Sequence, residues 1–282
     1  MESALNNLPP LNINDLLRSN SLSPKKSLGQ NFLVDPVALQ RVVEAAGVCA
    51  EDDVLEIGPG LGSLTRYLAL AARRVVAVEI DQNMIPVLEK VVKTFSNVVI
   101  HHNDILEVNP GEWMQSGYLV VANIPYYITS NVIRHLLEAE CKPRLLVLTI
   151  QREVAERICS PQGDLSLLAL SVQLYGTPRI AARIPAGAFY PAPKVDSSVL
   201  RIDLFPEPFI PEEEIGKFFR LAKAGFSQKR KTLRNSLSAG LAWKPERAVN
   251  LLLDNGIDPQ RRAETLSLEE WRRLTQGYSD LG

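Results

Sequence analysis

The sequence of 282 residues has few cysteines, few histidines and almost no net charge. Its three cysteines, Cys49, Cys141 and Cys159, lie far apart, and no CxxC or Cys/His spacing indicates a zinc site. Scattered, unpaired cysteines are typical of proteins that work in a reducing cytoplasm. We therefore expect no bound metal and a cytoplasmic location.

The sequence also lacks long hydrophobic runs. No segment approaches the ~20 apolar residues that a membrane span needs, and the first residues show neither a signal-peptide nor a transit-peptide pattern. We interpret residues 1–22 as a polar, flexible N-terminal extension. Because the formal net charge is only −1, any basic surface that binds a polyanion must be local.

What the sequence does contain is a regular alternation of strand-like and helix-like segments. Short apolar runs, separated by segments of helical length, lie at 53–57, 74–80, 97–101, 118–122 and 144–150. This alternation predicts an α/β fold with a mainly parallel, Rossmann-like sheet and helices on both faces. Two further strands, near 177–183 and 197–205, are expected to form an antiparallel pair at the sheet edge.

A proline-rich break follows the last predicted strand. The sequence PEPFIP at 206–211 cannot continue a strand, because three prolines remove backbone donors. Only helical patterns follow it. The chain is therefore predicted to consist of the extension 1–22, a catalytic domain at 23–206 and a small all-α domain at 207–282.

A glycine-rich loop lies between the first predicted strand and its helix. Its sequence is EIGPGLG at 56–62, and the carboxylate Glu79 ends the next strand. Gly58 and Gly60 let a ligand approach the backbone, and an acid such as Glu79 can accept both hydroxyls of a ribose. A dinucleotide fingerprint would need glycine at position 63, where the chain has Ser63. The spacing favours a nucleoside that carries an amino acid and argues against a nicotinamide-dependent oxidoreductase.

A second acidic side chain, Asp104, follows the third predicted strand in the sequence HHNDI. Ligands of open α/β sheets bind at the carboxyl ends of the strands. Asp104 is therefore predicted to accept a hydrogen bond from an adenine amino group.

The tetrapeptide Asn123-Ile-Pro-Tyr126 closes the fourth predicted strand. Adenine N6 is a poor nucleophile, because its lone pair is delocalised into the ring. Neutral oxygens that accept both of its N–H groups favour a pyramidal nitrogen, and the Asn123 side chain and a backbone carbonyl at positions 124–125 are suitable acceptors. Tyr126 offers a face on which the target base can stack. We interpret the tetrapeptide as the catalytic element of an amine methyltransferase.

These segments resemble the small-subunit (16S) ribosomal RNA adenine N6-dimethyltransferase family over about residues 25–273. The motifs that carry the resemblance are KSLGQNFL at 26–33, EIGPGLG at 56–62, VEID at 78–81, NIPYY at 123–127 and FYPAPKVDS at 189–197. The resemblance implies S-adenosyl-L-methionine as cofactor. It also implies dimethylation of two adjacent adenosines near the 3′ end of 16S rRNA during 30S subunit biogenesis. We further expect a monomer.

The resemblance also assigns individual residues. The family's GQxFL segment closes over the methionine part of the cofactor, which implies contacts from Asn31 and Leu33, although many relatives carry His in place of Asn31. The other implied cofactor contacts are Gly58, Glu79, Asp104 and Asn123. Phe189 matches an aromatic residue that holds the target adenine opposite Tyr126. From its proline-rich loop we expect Phe189, like Tyr190, to be exposed.

A basic segment opens the predicted helical domain. Residues 217–234 contain no acidic residue but several lysines and arginines. Such a segment would neutralise RNA phosphates, with an affinity that falls as salt is added. Residues 25 and 26 would extend the same surface. The predicted RNA contacts are Lys25, Lys26, Lys223, Lys229, Arg230, Lys231 and Arg234.

Two other functions on this fold stay open at the level of sequence. The related 23S rRNA adenine N6-methyltransferases that confer macrolide resistance share the chemistry, but PAPKVDS at 191–197 and the segment 226–235 look more like the small-subunit branch. A nucleic-acid-binding factor without catalysis would also keep the fold. The intact Asn123 and Tyr126 argue against that second alternative.

Overall fold

A computed structural model describes residues 8–279 of the chain. The main sheet has seven strands, which are β2 (Asp53–Ile57), β3 (Arg74–Glu79), β4 (Val98–His102), β5 (Leu119–Asn123), β6 (Leu145–Gln151), β7 (Gly176–Ile184) and β9 (Ser197–Leu204). A second, two-stranded sheet pairs β1 (Phe32–Leu33) with β8 (Phe189–Tyr190). The helices are α1 (Ile13–Ser19), α2 (Pro36–Ala46), α3 (Ser63–Ala71), α4 (Ile85–Val92), α5 (Thr129–Glu138), α6 (Arg152–Ile158), α7 (Leu167–Gln173), α8 (Glu212–Phe226), α9 (Leu233–Leu241), α10 (Pro245–Asp254) and α11 (Leu268–Ser279).

The seven-stranded sheet confirms the predicted, mainly parallel α/β architecture. Its strand order is β4-β3-β2-β5-β6-β9-β7, with parallel pairing from β4 through to β6. β9 runs antiparallel to β6, and β7 lies beside it at the edge. The chain runs outwards from β2 in one direction and resumes on its other side at β5. This change of direction opens a crevice at the carboxyl ends of β2 and β5, where ligands of such sheets bind.

Local sequence sets the ends of helix α2. The side chain of Asp35 accepts the Ala38 N–H at 2.8 Å, and Pro36 occupies the first turn. Gly47 ends the helix in the left-handed conformation that glycine favours. The apolar side of α2, which includes Val42, packs into the core with the sheet.

Part of the N-terminal extension is ordered, which corrects the interpretation of residues 1–22 as flexible. Residues 1–7 lie outside the described residues. Within helix α1, the side chains of Ile13 and Leu17 are buried in one apolar cluster with Phe32. The i, i+4 spacing of these two residues gives α1 an apolar side, which the polar composition of the segment hides.

The chain divides into two compact units. The first contains the described residues up to Ala155 together with Pro178–Leu204, and the second contains Glu156–Thr177 and the described residues from Phe205 onwards. The sequence-based division placed 156–177 in the catalytic domain, whereas this segment packs with the C-terminal helices. The predicted boundary between the catalytic domain and the all-α domain, between residues 206 and 207, stays a prediction.

The structure also bears on membrane spans, disulfides and metal sites, the three features for which the sequence shows no pattern. None of the described helices is both long and apolar enough to cross a bilayer. Cys49, Cys141 and Cys159 are free thiols, as their spacing predicts. Within residues 8–279, no three potential ligands from His, Cys, Asp and Glu come close enough together to hold a metal ion.

Candidate active site

One cavity lies at the carboxyl ends of the parallel strands and collects most of the predicted site residues. All of its lining residues belong to the first compact unit. The predicted residues that line it are Asn31, Gly58, Gly60, Glu79, Asp104, Asn123, Tyr126 and Phe189. The sequence motifs therefore meet in space at the edge of the sheet where the strand order predicts a ligand.

The glycine-rich loop forms one wall of this cavity. Gly58 and Gly60 have φ angles of +68° and +57°, which side-chain-bearing residues rarely adopt. A Cβ atom on Gly60 would lie 2.8 Å from Cε1 of Phe32, so the Phe32 ring packs directly against the loop. On Gly58, the nearest atom to a Cβ would be the Asn123 carbonyl oxygen at 3.9 Å. The loop thus leaves room for a ligand beside Gly58.

Glu79 ends β3 and is held in a fixed orientation by the backbone. One of its carboxylate oxygens accepts the Gly60 N–H and the other accepts the Asp81 N–H, both at 2.8 Å. Burial raises the pKa of Glu79, and these two backbone hydrogen bonds oppose the rise. Each oxygen has further lone-pair capacity, so the carboxylate can also accept two hydroxyl groups.

A second carboxyl group, that of Glu56 in β2, is also buried. Burial raises the pKa of Glu56 to about 8; the Thr65 hydroxyl opposes this rise and the nearby Glu79 carboxyl adds to it. One of its oxygens is buried without a hydrogen-bond partner among the described residues. In the sequence, Glu56 is only the first residue of the glycine-loop motif. Nothing in the sequence around it indicates that its side chain is buried.

Asp104 lies in the turn after β4, and its Oδ1 accepts the Leu106 N–H at 2.9 Å. Beside it, the cavity is lined by Ile80, which sequence reasoning missed. Ile80 follows Glu79 directly and is 47% exposed, which is unusual for an isoleucine at the end of a buried strand. A polar acceptor next to an exposed apolar side chain suits a flat, amino-bearing base.

Asn123 ends β5 and lines the cavity, and its amide nitrogen is held by the backbone. Its Nδ2 donates to the backbone oxygen of Asn31 at 2.9 Å, so Oδ1 is the atom of this amide that can accept a hydrogen bond from a ligand. The Pro125 carbonyl accepts the Ile128 N–H at 3.2 Å. Of the two carbonyls that the sequence offered as a second acceptor, the one on Ile124 is therefore the better candidate.

The two predicted aromatic residues differ in their environment. The Tyr126 hydroxyl is hydrogen-bonded to Ser197 Oγ at 2.7 Å, and Tyr126 is half-buried. Phe189 is only 4% exposed, so the expectation of an exposed Phe189 is wrong. β8 pairs with β1, and because side chains alternate along a strand, Tyr190 faces outwards while Phe189 faces the core and the cavity.

Of the two cofactor contacts predicted around β1, Asn31 and Leu33, the structure places only Asn31 at the cavity. Asn31 lines the cavity, and its own side chain donates to the Gly29 carbonyl. Leu33 is buried in the core and is not part of the cavity wall, which is formed instead by its neighbour Phe32. Side chains also alternate along β1, so Phe32 and Leu33 must point to opposite sides. This alternation explains why Phe32 lines the cavity while Leu33 is in the core.

The predicted RNA contacts fall into two groups. Among those of the second unit, Arg234 is half-buried and donates to Asn235, while four are exposed: Lys223, Lys229, Arg230 and Lys231. Near the cavity, Lys26 is exposed, but the Lys25 ammonium group forms an ion pair with Asp81 at 2.7 Å.

Sequence comparison gives consistent relatives over nearly the whole chain. Residues 21–280 match the family model described as ribosomal RNA adenine dimethylase. A protein of Dehalococcoides mccartyi strain 195 named ribosomal RNA small subunit methyltransferase A is 42% identical over 268 residues, covering 94% of this chain and 92% of the relative. A protein of the same name from Shouchella clausii is 41% identical and covers 96% of both chains.

Structure comparison gives the same fold. The crystal structure of the 23S rRNA methyltransferase ErmE matches with a TM-score of 0.72 and 28% identity, covering 88% of this chain and 100% of that chain. A dimethyladenosine transferase from Plasmodium falciparum matches with a TM-score of 0.77 and 24% identity, over 88% and 98% of the two chains. The second likeness supports the fold alone.

Proposed function

The chain belongs to the ribosomal RNA adenine dimethylase family, and on that basis we propose that its substrate is two adjacent adenosines near the 3′ end of 16S rRNA. The chain is an rRNA adenine methyltransferase that uses S-adenosyl-L-methionine. The observation that best supports adenine N6 as the acceptor is the anchored amide of Asn123. With Nδ2 bound to the Asn31 backbone, its Oδ1 is a fixed acceptor at the end of β5.

The cavity fits the cofactor in shape and in polarity. A Cβ atom at Gly58 would occupy space beside the Asn123 carbonyl, which we assign to the cofactor's amino-acid end. Glu79, with both oxygens oriented by the backbone, would hold the ribose hydroxyls, and Asp104 would accept from the adenine amino group. Gly60 gives the loop its conformation, and its N–H orients the Glu79 carboxylate. When bound, the sulfonium supplies an electrophilic methyl group.

In our proposal, the residues of the NIPY turn activate the target nitrogen without a strong base. Asn123 Oδ1 and the Ile124 carbonyl each accept one N–H of adenine N6, which favours a pyramidal nitrogen with its lone pair directed away from both acceptors. These dipoles are held in place before the reaction, so little reorganisation is needed. The amine proton becomes acidic only after methyl transfer and can then leave to water.

Two aromatic rings would hold the flipped base. Tyr126, fixed through its hydroxyl, offers one face, and the buried Phe189 offers a second at the cavity wall. Stacking on aromatic side chains contributes about 1–3 kcal/mol per base and needs no particular base edge. The base edge is then read by Asn123 and Ile124.

For the RNA backbone, we propose contacts from Lys26 and from the basic residues of the second unit. Exposed lysine and arginine side chains supply affinity that does not depend on sequence and that weakens with salt. The residues of the second unit concerned are Lys223, Lys229, Arg230, Lys231 and Arg234. Lys25 is paired with Asp81 and is not among these proposed contacts.

The small subunit is favoured over 23S rRNA by the pattern of similarity. The relatives named for the small subunit are 38–44% identical to this chain, whereas the 23S rRNA methyltransferase ErmE is 28% identical. We propose a precursor or mature 30S particle as substrate and a cytoplasmic monomer as enzyme.

The decisive experiment supplies labelled S-adenosylmethionine with 30S particles from cells that lack this methylation, and in parallel with unmethylated 23S rRNA. We expect label only in the 30S reaction, as N6,N6-dimethyladenosine at two neighbouring positions mapped by mass spectrometry. Label confined to 23S rRNA would favour the macrolide-resistance function. Cofactor binding without methylation of either RNA would favour a binding factor.

A further inference from the structure

A short segment before β1 runs across the active-site cavity, and we call residues 25–31 the strap. Four of its consecutive members line the cavity: Leu28, Gly29, Gln30 and Asn31. The strap contains the 3-10 turn Lys26–Leu28, which ends at Gly29 with a φ of +60°. Hydrogen bonds within the strap shape this turn, but only contacts with other segments can hold it against the cavity.

The first of these contacts is the carboxylate of Asp81, which lies two residues beyond β3. Asp81 is 2% exposed. Its Oδ1 accepts Lys25 Nζ at 2.7 Å, and its Oδ2 accepts Gln30 Nε2 at 3.0 Å. The Gln30 Oε1 atom in turn accepts the Lys25 N–H at 2.8 Å. Both ends of the strap are therefore bound to one buried carboxylate.

The same carboxylate residue is connected to the cofactor site. The Asp81 N–H donates to Glu79, whose other oxygen accepts the Gly60 N–H. At its far end the strap carbonyl of Asn31 accepts the Asn123 amide. Hydrogen bonds thus connect the strap to the proposed ribose-binding carboxylate through Asp81, and separately to the proposed amine-binding amide through Asn31.

We propose that Asp81, Lys25 and Gln30 form a clasp that holds the strap over the bound cofactor, with Lys25 as a positioning residue for cofactor binding. The inference rests on the proposed cofactor site, gives Asp81 and Gln30 a role, and moves Lys25 from the predicted RNA surface to the cofactor site. It also separates two neighbouring lysines that sequence reasoning treated alike. Lys26 belongs to the RNA surface, whereas Lys25 belongs to the clasp.

The charge balance favours this role. Burial alone would favour a protonated Asp81, but hydrogen bonds from Lys25, Gln30 and Asn83 lower the pKa of Asp81 below its ordinary value. The carboxylate therefore stays ionised at neutral pH and keeps its attraction for the ammonium group. The Lys25 side chain is 42% exposed, so this ion pair can open and close without unfolding the domain.

The test compares Lys25→Met with the matched control Lys26→Met, using calorimetry and stopped-flow binding of S-adenosylhomocysteine to the full chain. We expect Lys25→Met to raise the Kd for S-adenosylhomocysteine roughly five- to tenfold, in the range of one ordinary hydrogen bond, because solvent screens the half-exposed Lys25 ammonium group. The rise should come from faster dissociation. Lys26→Met should leave this Kd unchanged and weaken RNA binding instead. Lys25→Arg, which keeps a cation, should restore most of the affinity.

Several outcomes would overturn the clasp. One is an unchanged Kd for S-adenosylhomocysteine in Lys25→Met together with weaker RNA binding, which would return Lys25 to the RNA surface. Another is a loss of cofactor affinity in Lys25→Met that Lys25→Arg fails to restore, or that comes with a lower melting temperature of the ligand-free protein. Gln30→Leu gives an independent check, because it should raise the same Kd if the clasp is real. If the wild-type chain bound no S-adenosylhomocysteine, the proposed function itself would fail.

Discussion

The hydrogen bond between Tyr126 and Ser197 gives a sharp test of how the target base is held. The Tyr126 hydroxyl and Ser197 Oγ lie 2.7 Å apart, and Ser197 is fully buried at the start of β9. Tyr126→Phe keeps the stacking face but removes the hydroxyl. Ser197→Ala keeps the tyrosine but removes its partner. If the bond fixes the ring, either change lets the ring move out of the orientation that stacks the base.

The size of the effect follows from the environment of the bond. A typical hydrogen bond contributes about 1 kcal/mol, and this one joins a buried hydroxyl to a half-buried one. We therefore expect about a fivefold fall in the single-turnover methylation rate for either variant, since 1.4 kcal/mol corresponds to a factor of ten. Because both changes remove the same bond, the double variant should lose no more than about fivefold as well. The coupling energy of the cycle would then be about 1 kcal/mol.

The control for this cycle is Ser198→Ala. Ser198 is the next residue along β9 and is equally buried, and its hydroxyl has no hydrogen-bond partner among the described residues. Its removal should leave the methylation rate unchanged. If Tyr126→Phe and Ser197→Ala multiplied their effects in the double variant, the two hydroxyls would act independently and the idea of a fixed ring would be refuted.

Three further changes test the other parts of the site. Asn123→Ala should lower the single-turnover rate about a hundredfold or more, because it removes a preorganised acceptor, while filter binding should show RNA affinity close to that of the wild type. Replacing Arg230 and Lys231 by Ala should weaken RNA binding at low salt and reduce the slope of log Kd against log salt by about two, in line with two lost phosphate contacts; an unchanged slope would place the RNA elsewhere. Glu56→Gln should flatten the pH dependence of stability. The pKa of Glu56 is about 8 in the folded chain against an ordinary value of 4.5, so its contribution to stability is present below 4.5 and is lost as the pH rises towards 8. Urea unfolding at pH 6 and pH 8.5 should show this loss for the wild type and a smaller one for the variant.

The fold and the strand-end residues could be predicted because they depend on local patterns. Continuous apolar runs such as 119–122 in β5 are typical of strands buried on both faces. Parallel strands place their carboxyl ends together, so Glu79, Asp104 and Asn123 had to meet once the sheet formed. Capping residues such as Asp35 set the helix ends for equally local reasons.

The parts that could not be predicted depend on contacts between distant segments. Lys25 and Asp81 are 56 positions apart, and neither belongs to a pattern that indicates a partner. The orientation of Phe32 and Leu33 was missed for a different reason. In a strand of two residues, alternation allows either side chain to face the cavity, and only the pairing of β1 with β8 decides between them.

The anchoring of Asn123 has a consequence for the order of events at the active site. Its Nδ2 is bound to the Asn31 carbonyl at the end of the strap, so the direction of its Oδ1 depends on where the strap lies. If the strap moved away, the Asn123 amide would lose this contact and could flip, so that Nδ2 took the place of Oδ1. An N–H donor would then face adenine N6 and would oppose the pyramidal amine. In our proposal a closed strap therefore serves two purposes, since it covers the cofactor through Asp81 and keeps an acceptor directed at the target nitrogen. An enzyme built in this way would activate the target amine only when its strap is closed over the methyl donor.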